Sequence, residues 1–252
     1  MEAIQNLLEH RSIRKYKPTP VSLEVLQEIL HAGFRASTTG NMQVYSVVVT
    51  QDEAKKKELA KFHFNQSMIF QAPVLLTFCA DFNRFNKWCR QRNAEPGFDN
   101  FLSFFTAAID ALLVAQNVAV AAEDKGLGIC YLGTTTYMAD EISKFLNLPE
   151  AVVPITTLVI GYPDEQPDLT DRLPDAGLIH FEEYNDYTAE QIDEIYTEKE
   201  AMALTQKLIE ENGLENLAQI FTQKRYSKKD NILFSQSFLR CIEKAGFMNN
   251  EN

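Results

Sequence analysis

The sequence predicts an α+β fold built in three layers, and three observations carry that prediction. Apolar, β-branched runs at residues 44–50, 73–79 and 152–160 read as strands with buried faces. Helical segments separate them without strict βαβ repetition. A single long alanine-rich stretch, Phe101 to Ala122, holds only one charged residue, Asp110, and is long enough to run through the whole body. That stretch would also suffice to cross a bilayer. Ser103, Thr106, Gln116 and Asn117 interrupt it, and neither a second such stretch nor a basic flank accompanies it. A core or subunit-interface helix is therefore expected.

The elements follow in order. Glu2 to Glu9 forms a short helix that runs into the basic cluster His10-Arg11-Ser12-Ile13-Arg14-Lys15, with Pro18 and Pro20 breaking the chain after it. Ser22 caps a second helix in which Leu23, Leu26, Ile29, Leu30 and Phe34 share one face. Ser37 to Asn41 is a loop by composition. Val44 to Thr50 is a strand, Asp52 opens a helix to about Lys61, and Pro73 to Cys79 is a second strand. A polar stretch, 83–97, precedes the long helix, which ends at Lys125-Gly126. Gly126 to Gly133 is a glycine-punctuated strand and loop. Ala139 to Leu146 is helical and Val152 to Ile160 is a strand. Residues 164–187 are rich in Pro and Asp and read as an extended arm. From Thr188 onward the pattern is helical, with a break at Gly213.

Composition narrows the function classes. At 252 residues, with 45% hydrophobic and 23% charged residues, the chain has the make-up of a packed globular protein. A formal charge of −11 argues against nucleic acid or an anionic membrane as the main partner. The four cysteines, Cys79, Cys89, Cys130 and Cys241, have no CxxC spacing, which suits a reducing compartment. The N-terminus shows no basic region followed by an apolar run, so a cytoplasmic location is expected.

Against that acidic background, Arg11, Arg14, Lys15 and Lys17 fall within seven residues. On one helical turn the guanidinium groups of Arg11 and Arg14 would converge on a single anion, and bidentate capture of a phosphate is the chemistry they suit. A solvated basic helix end is the other reading. Thr38, Thr39 and Gly40 offer hydroxyl and backbone donors, a common way to hold a phosphate or ribityl chain, and turn chemistry alone is the more frequent account of such a loop. Gln43 and Gln66 are polar residues beside apolar sequence. Gly126-Leu127-Gly128 follows a helix and enters a strand, the reverse of a dinucleotide fingerprint, so Gly126 reads as a helix C-cap. Gly133 permits close backbone approach to a flat ligand. The four histidines lack metal-ligand spacing, and no nucleophile elbow is present. A phosphate site without acid, base, nucleophile or metal fits an enzyme that takes its chemistry from a cofactor.

The order of these pieces resembles the FMN-dependent nitroreductase superfamily, in particular its larger branch of oxygen-insensitive NADPH nitroreductases and flavin reductases. The resemblance rests on His10 to Arg14, the Ser/Thr loop at 37–40, Gln66, the alanine-rich helix, Gly126 to Gly133, and Pro167-Asp168-Leu169 leading to Arg172-Leu173-Pro174. It implies a central, mainly antiparallel sheet flanked by helices and a homodimer with FMN at its interface, which the long helix builds. It also implies residues 1–187 as an FMN-binding core and 188–252 as a helical extension packing on the core or the partner. In the roles the resemblance implies, Arg11 and Arg14 hold the FMN phosphate, with His10 and Ser12 on the same segment. Thr38, Thr39 and Gly40 contact the ribityl and phosphate region. Gln66 bonds the flavin ring, Tyr131, Leu132, Gly133 and Thr134 lie along it, and Arg172 sits near the phosphate. NADPH or NADH is the implied reductant, and nitroaromatics, quinones or free flavin are the implied acceptors in a two-step exchange. A flavin carrier or sensor, or a flavin-consuming or dehalogenating member, are the alternatives. The chain departs from the pattern at Thr170, where relatives carry lysine, and at Thr134, where a second glycine is common. It departs again at Ser235-Gln236-Ser237, where relatives use an arginine toward the NADPH phosphate.

Overall fold

Four strands form one antiparallel sheet in the order β1-β2-β4-β3, where β1 is Tyr45–Thr50, β2 Val74–Asp81, β3 Gly128–Leu132 and β4 Val152–Gly161. The computed structural model describes residues 3–249. Side chains on the strands alternate between two apolar layers, as a period of two requires. On one face Leu76, Phe78, Leu158, Ile160 and Ile129 pack against α2 (Leu23–Gly33) and α6 (Phe101–Asp124). On the other, Leu75, Val159, Cys130 and Leu132 pack against α3 (Glu53–Phe62), α4 (Ser67–Gln71) and α8 (Ala139–Phe145). Both faces are covered, which makes the three layers.

The ends of the elements follow local chemistry. The Ser22 and Asp52 side chains accept from the N–H groups of Val25 and Lys55 and start α2 and α3. Gly126 takes φ +74° and ends α6. Its N–H donates to Glu123 O, and that of Leu127 donates to Ala122 O, the paired bonds of a Schellman stop. The segment 83–97 is not simply polar coil, because α5 spans Asn83–Gln91. Its inward positions include Asn86, which hides the apolar period.

Helix α6 divides its 24 residues between two faces. Ala107, Ala111, Val114, Ala115, Val118 and Ala122 are buried, and small side chains there let α2 approach so closely that a Cβ on Gly33 would lie 2.2 Å from Val118 Cγ2. Leu102, Phe105, Ile109, Leu112 and Leu113 remain exposed on the other face. Among the described residues, α6 is the one helix long and apolar enough to cross a membrane, and half of it is core.

The chain forms two compact units, one running to Asp168 and resuming at Phe234, the other spanning Leu169–Leu233. In the first, the end of α12 (Lys228–Lys244) and the residues after it place Cys241, Ile242, Ala245 and Phe247 in the core that holds α6. The second contains α9 (Ala189–Ala201), α10 (Ala203–Asn212) and α11 (Leu217–Ile220), with Gly213 left-handed at the end of α10. Between α4 and α8 in the first unit lie α5 and α7 (Thr134–Tyr137), and α1 spans Ala3–Leu8.

Candidate functional site

The basic cluster is not helical. Beyond α1 the chain runs extended along β3, and the Ile13 N–H donates to Ile129 O at 2.8 Å. Ser12 pairs with Ile129, and Tyr16 with Pro163. Two glycines make this course possible. Gly128 and Gly161 face one another across β3 and β4. A Cβ on Gly128 would lie 2.7–2.9 Å from three atoms of Ile13, and one on Gly161 would lie 2.9 Å from the Tyr16 ring. Ile13 and Tyr16 therefore seat on the sheet where side chains are missing. The intervening residues, Arg14 and Lys15, turn outward. Arg11 and Arg14 thus present their charge from an extended chain and not from one helical turn, correcting the helical expectation.

The electrostatics around this segment are mixed. His10 Nδ1 lies 2.6 Å from Glu123 Oε1 near the end of α6. Burial raises the Glu123 carboxyl above its ordinary value, while the His10 hydrogen bond and charge pull it back. Arg11 donates from Nη1 to Glu9 O at 2.8 Å, yet its Nε is buried and has no partner. A buried guanidinium N–H without an acceptor is costly and calls for an anion. Glu165 Oε1 accepts from the backbone N–H groups of Arg14 and Lys15, at 2.5 and 3.0 Å. Arg11, Glu9, Glu123, Glu165 and Gly128 line an open cleft of about 420 Å³.

Past the far end of β3 a second cluster forms. Gln66, at the start of α4, donates from Nε2 to Thr134 Oγ1 at 3.4 Å and to His63 O at 3.1 Å. His63, at the end of α3, has Nδ1 2.8 Å from the same Thr134 oxygen. Burial lowers its imidazole to about 4, so it is neutral at physiological pH. Rigid contacts hold both sides of this cluster. Lys56 Nζ, buried, donates to Ala72 O at 2.8 Å and ties α3 to the turn before β2. The Thr135 hydroxyl donates to Leu132 O at 2.9 Å and lies 3.0 Å from the Thr157 hydroxyl, which ties α7 to the sheet. Gly133, between them, is exposed, and a Cβ there would meet nothing within 4 Å. Leu132 buries its side chain, so only its backbone faces the site. The Tyr131 phenol reaches Gln116 Oε1 at 3.4 Å and is pushed up by burial. Cys130 is buried with its thiol raised by desolvation, which leaves it inert.

The Thr38–Gly40 loop is held at another point of the first unit. Thr39 donates from its N–H and hydroxyl to Asp110 Oδ1, at 3.0 and 3.3 Å, in the middle of α6. Gly40 follows at φ +56°, and Thr38 precedes the turn in extended conformation. Asp110 is thirteen residues before Glu123. At 1.5 Å per residue, the anchors of the Thr38–Gly40 loop and of His10 are about 20 Å apart along α6. The structure thus gathers His10 to Arg14, Tyr131 to Thr134 and Gln66 along β3, and leaves Thr38 to Gly40 apart. Arg172, in the second unit, donates from Nη1 to Thr170 Oγ1 at 2.8 Å and to Asp171 O at 2.9 Å. Asp171 pairs with Lys199 at 2.6 Å. His63, Glu123 and Glu165 escaped the sequence reading, since nothing in their neighbours' spacing marks them.

A model of the nitroreductase family matches residues 7–162, the stretch that contains the sheet, the basic segment and the Gln66–Thr134 cluster. A solved structure from Bacteroides fragilis NCTC 9343 superposes with a TM-score of 0.95 and 52% identity, covering 99% of this chain and 100% of that one. The NADPH-flavin oxidoreductase of Vibrio harveyi is 34% identical over 75% of this chain and 77% of its own length. The FMN reductase (NADPH) of Bacillus subtilis strain 168 is 32% identical over 72% of this chain and 74% of its own.

Proposed function

This chain belongs to the nitroreductase family, and on that premise we propose that it is an NAD(P)H-dependent FMN oxidoreductase that reduces nitroaromatics, quinones or free flavin in a ping-pong exchange. FMN and NAD(P)H are its cofactors, as the named flavin reductases among its relatives indicate. The observation that carries the site assignment is the course of the basic segment along β3. It puts an arginine with an unpartnered buried N–H at one end and an amide-hydroxyl pair beside open backbone at the other, which supports the reading. These residues fit FMN.

In this reading Arg11 and Arg14 hold the phosphate, with His10, fixed by Glu123, and Ser12 on the same extended segment. Gln66 and Thr134 address the ring, and the Tyr131 to Gly133 backbone lies along it. FMN held by these residues would supply the two-electron redox chemistry between nicotinamide and acceptor. The protein's donors favour the negative charge that reduction places on the ring, so no proton-transferring side chain is required. Arg172 is assigned to the phosphate by resemblance.

The Thr38–Gly40 loop supports a homodimer. Its anchor on α6 is about 20 Å from that of His10, so a loop that touches FMN does so from a second copy. The exposed apolar face of α6 supplies the surface that a second copy covers. Residues 1–187 are assigned the FMN-binding core and 188–252 the helical extension, whose end, from Phe234, packs into the first compact unit and whose start is preceded by residues 169–187 of the second. A cytoplasmic location accords with four free, buried cysteines.

The test is purification of the native protein, followed by anaerobic reduction with NADH and NADPH in parallel and then a panel of acceptors. A yellow protein bleached by either nucleotide and reoxidised by nitrofurazone or a quinone is expected. A colourless protein that cannot be reconstituted with FMN refutes the proposal.

A further inference from the structure

His63 is buried in the wall of the site, and the reading above leaves it without a task. Its ring touches Thr134 through Nδ1 at 2.8 Å, while Nε2 is buried with no hydrogen-bond partner. A neutral imidazole carries a single N–H. On Nε2 that hydrogen would be an orphaned buried donor, whereas on Nδ1 only an acceptor is left over. Orphaned buried donors are the rarer of the two in proteins. The Nδ1–H therefore donates to Thr134 Oγ1, and the Gln66 amide donates to the same oxygen.

A hydroxyl oxygen accepts two hydrogen bonds and donates one. With both acceptor positions filled from the protein side, the Thr134 proton has no inward partner. Thr134 is half-buried, and the residue before it, Gly133, borders open space. We propose that Thr134 is a hydrogen-bond donor to the acceptor edge of the flavin ring bound beside Gly133, and that His63 is a positioning residue that keeps this proton turned outward. The inference rests on the FMN reading and adds to it a side chain that sets the redox balance of the cofactor. A hydrogen bond to a developing anion is stronger than one to a neutral acceptor, so the Thr134 donor favours the reduced ring over the oxidised one.

Three properties of the reconstituted protein are read: FMN Kd, the visible absorption band of oxidised flavin, and the two-electron midpoint potential. Thr134→Val preserves shape and removes the donor. It is expected to weaken binding of reduced relative to oxidised FMN about ten-fold, which is a fall in potential of about 30 mV for a two-electron couple. Thr134→Ser restores the wild-type value. His63→Leu shifts the potential in the same direction, and His63→Asn, which places an amide N–H near the Nδ1 position, reverses most of that shift. A Thr134→Val protein with wild-type potential and spectrum overturns the inference, as does a folded His63→Leu protein at the wild-type potential. Should the His63 variants not fold, the Val and Ser pair at Thr134 decides. A wild-type protein that takes up no FMN is a different outcome and overturns the parent reading instead.

Discussion

Gly128→Ala puts the placement of the basic segment to a direct test. The new Cβ would stand 2.7, 2.8 and 2.9 Å from Ile13 Cγ1, Cβ and Cγ2. No rotamer of Ile13 relieves a clash with its own Cβ, so the backbone of residues 12–14 has to lift off β3. Overpacking of this kind costs about 1–3 kcal/mol. At roughly 2–4 °C per kcal/mol for a chain of this size, Tm should fall by about 2–12 °C. Lifting the segment also moves Arg11 and Arg14. Losing one charge-assisted hydrogen bond to phosphate, worth about 1.5–3 kcal/mol, weakens FMN binding roughly ten- to hundred-fold. The assay is quenching of flavin fluorescence on titration with apoprotein, beside a thermal melt. Gly133→Ala is the control: its Cβ meets nothing within 4 Å, so Tm holds while a ring lying against that backbone is still displaced. A Gly128→Ala protein with lowered Tm and unchanged FMN affinity would refute the assignment of the phosphate to this segment. Unchanged Tm would refute the packing argument itself.

Three further outcomes are expected. Arg11→Ala, which removes a guanidinium with one backbone contact and a buried unpartnered Nε, should weaken FMN binding at least ten-fold at a stability cost of about 1 kcal/mol or less, read by flavin content and melting. His63 is neutral in both folded and unfolded chains above its ordinary value of 6.5. Between 6.5 and about 4 only the unfolded chain takes the proton, and below that both do. Stability is therefore lost as pH falls through this window, by about 3 kcal/mol in all. Urea unfolding at pH 7, 5.5 and 4 should fall off less steeply in His63→Leu than in wild type, and parallel curves would contradict the burial argument. Ile109→Arg puts a charge on the exposed apolar face of α6. It should loosen the proposed homodimer about a hundred-fold or more in sedimentation velocity while single-chain secondary structure persists. An intact dimer would remove this face from the interface.

Helices α2, α3 and α6 were legible because each joins a cap to a clear apolar period, as with Ser22, Asp52 and the Gly126 stop. The strands were legible because buried β-branched runs tolerate few other environments. Helix α5 was not, since Asn86 occupies an inward position, and α4 and α7 are too short to show a period at all. The order of the basic segment, the Thr loop, Gln66 and the glycine-bounded strand was likewise legible, and with it the family.

Tertiary structure decided the rest. Local charge density marks a basic segment whether the chain is helical or extended, and the facing glycines at 128 and 161 give it room to run extended here. The pairs that shape the site join residues far apart in the chain: His10 with Glu123, Thr39 with Asp110, His63 with Thr134. Periodicity reports on neighbours three or four residues away, so such contacts leave no trace in it. What residue type and spacing determined is the chemistry this chain carries. Which of those groups meet, and which lie apart, follows from the packing of α6 and β3.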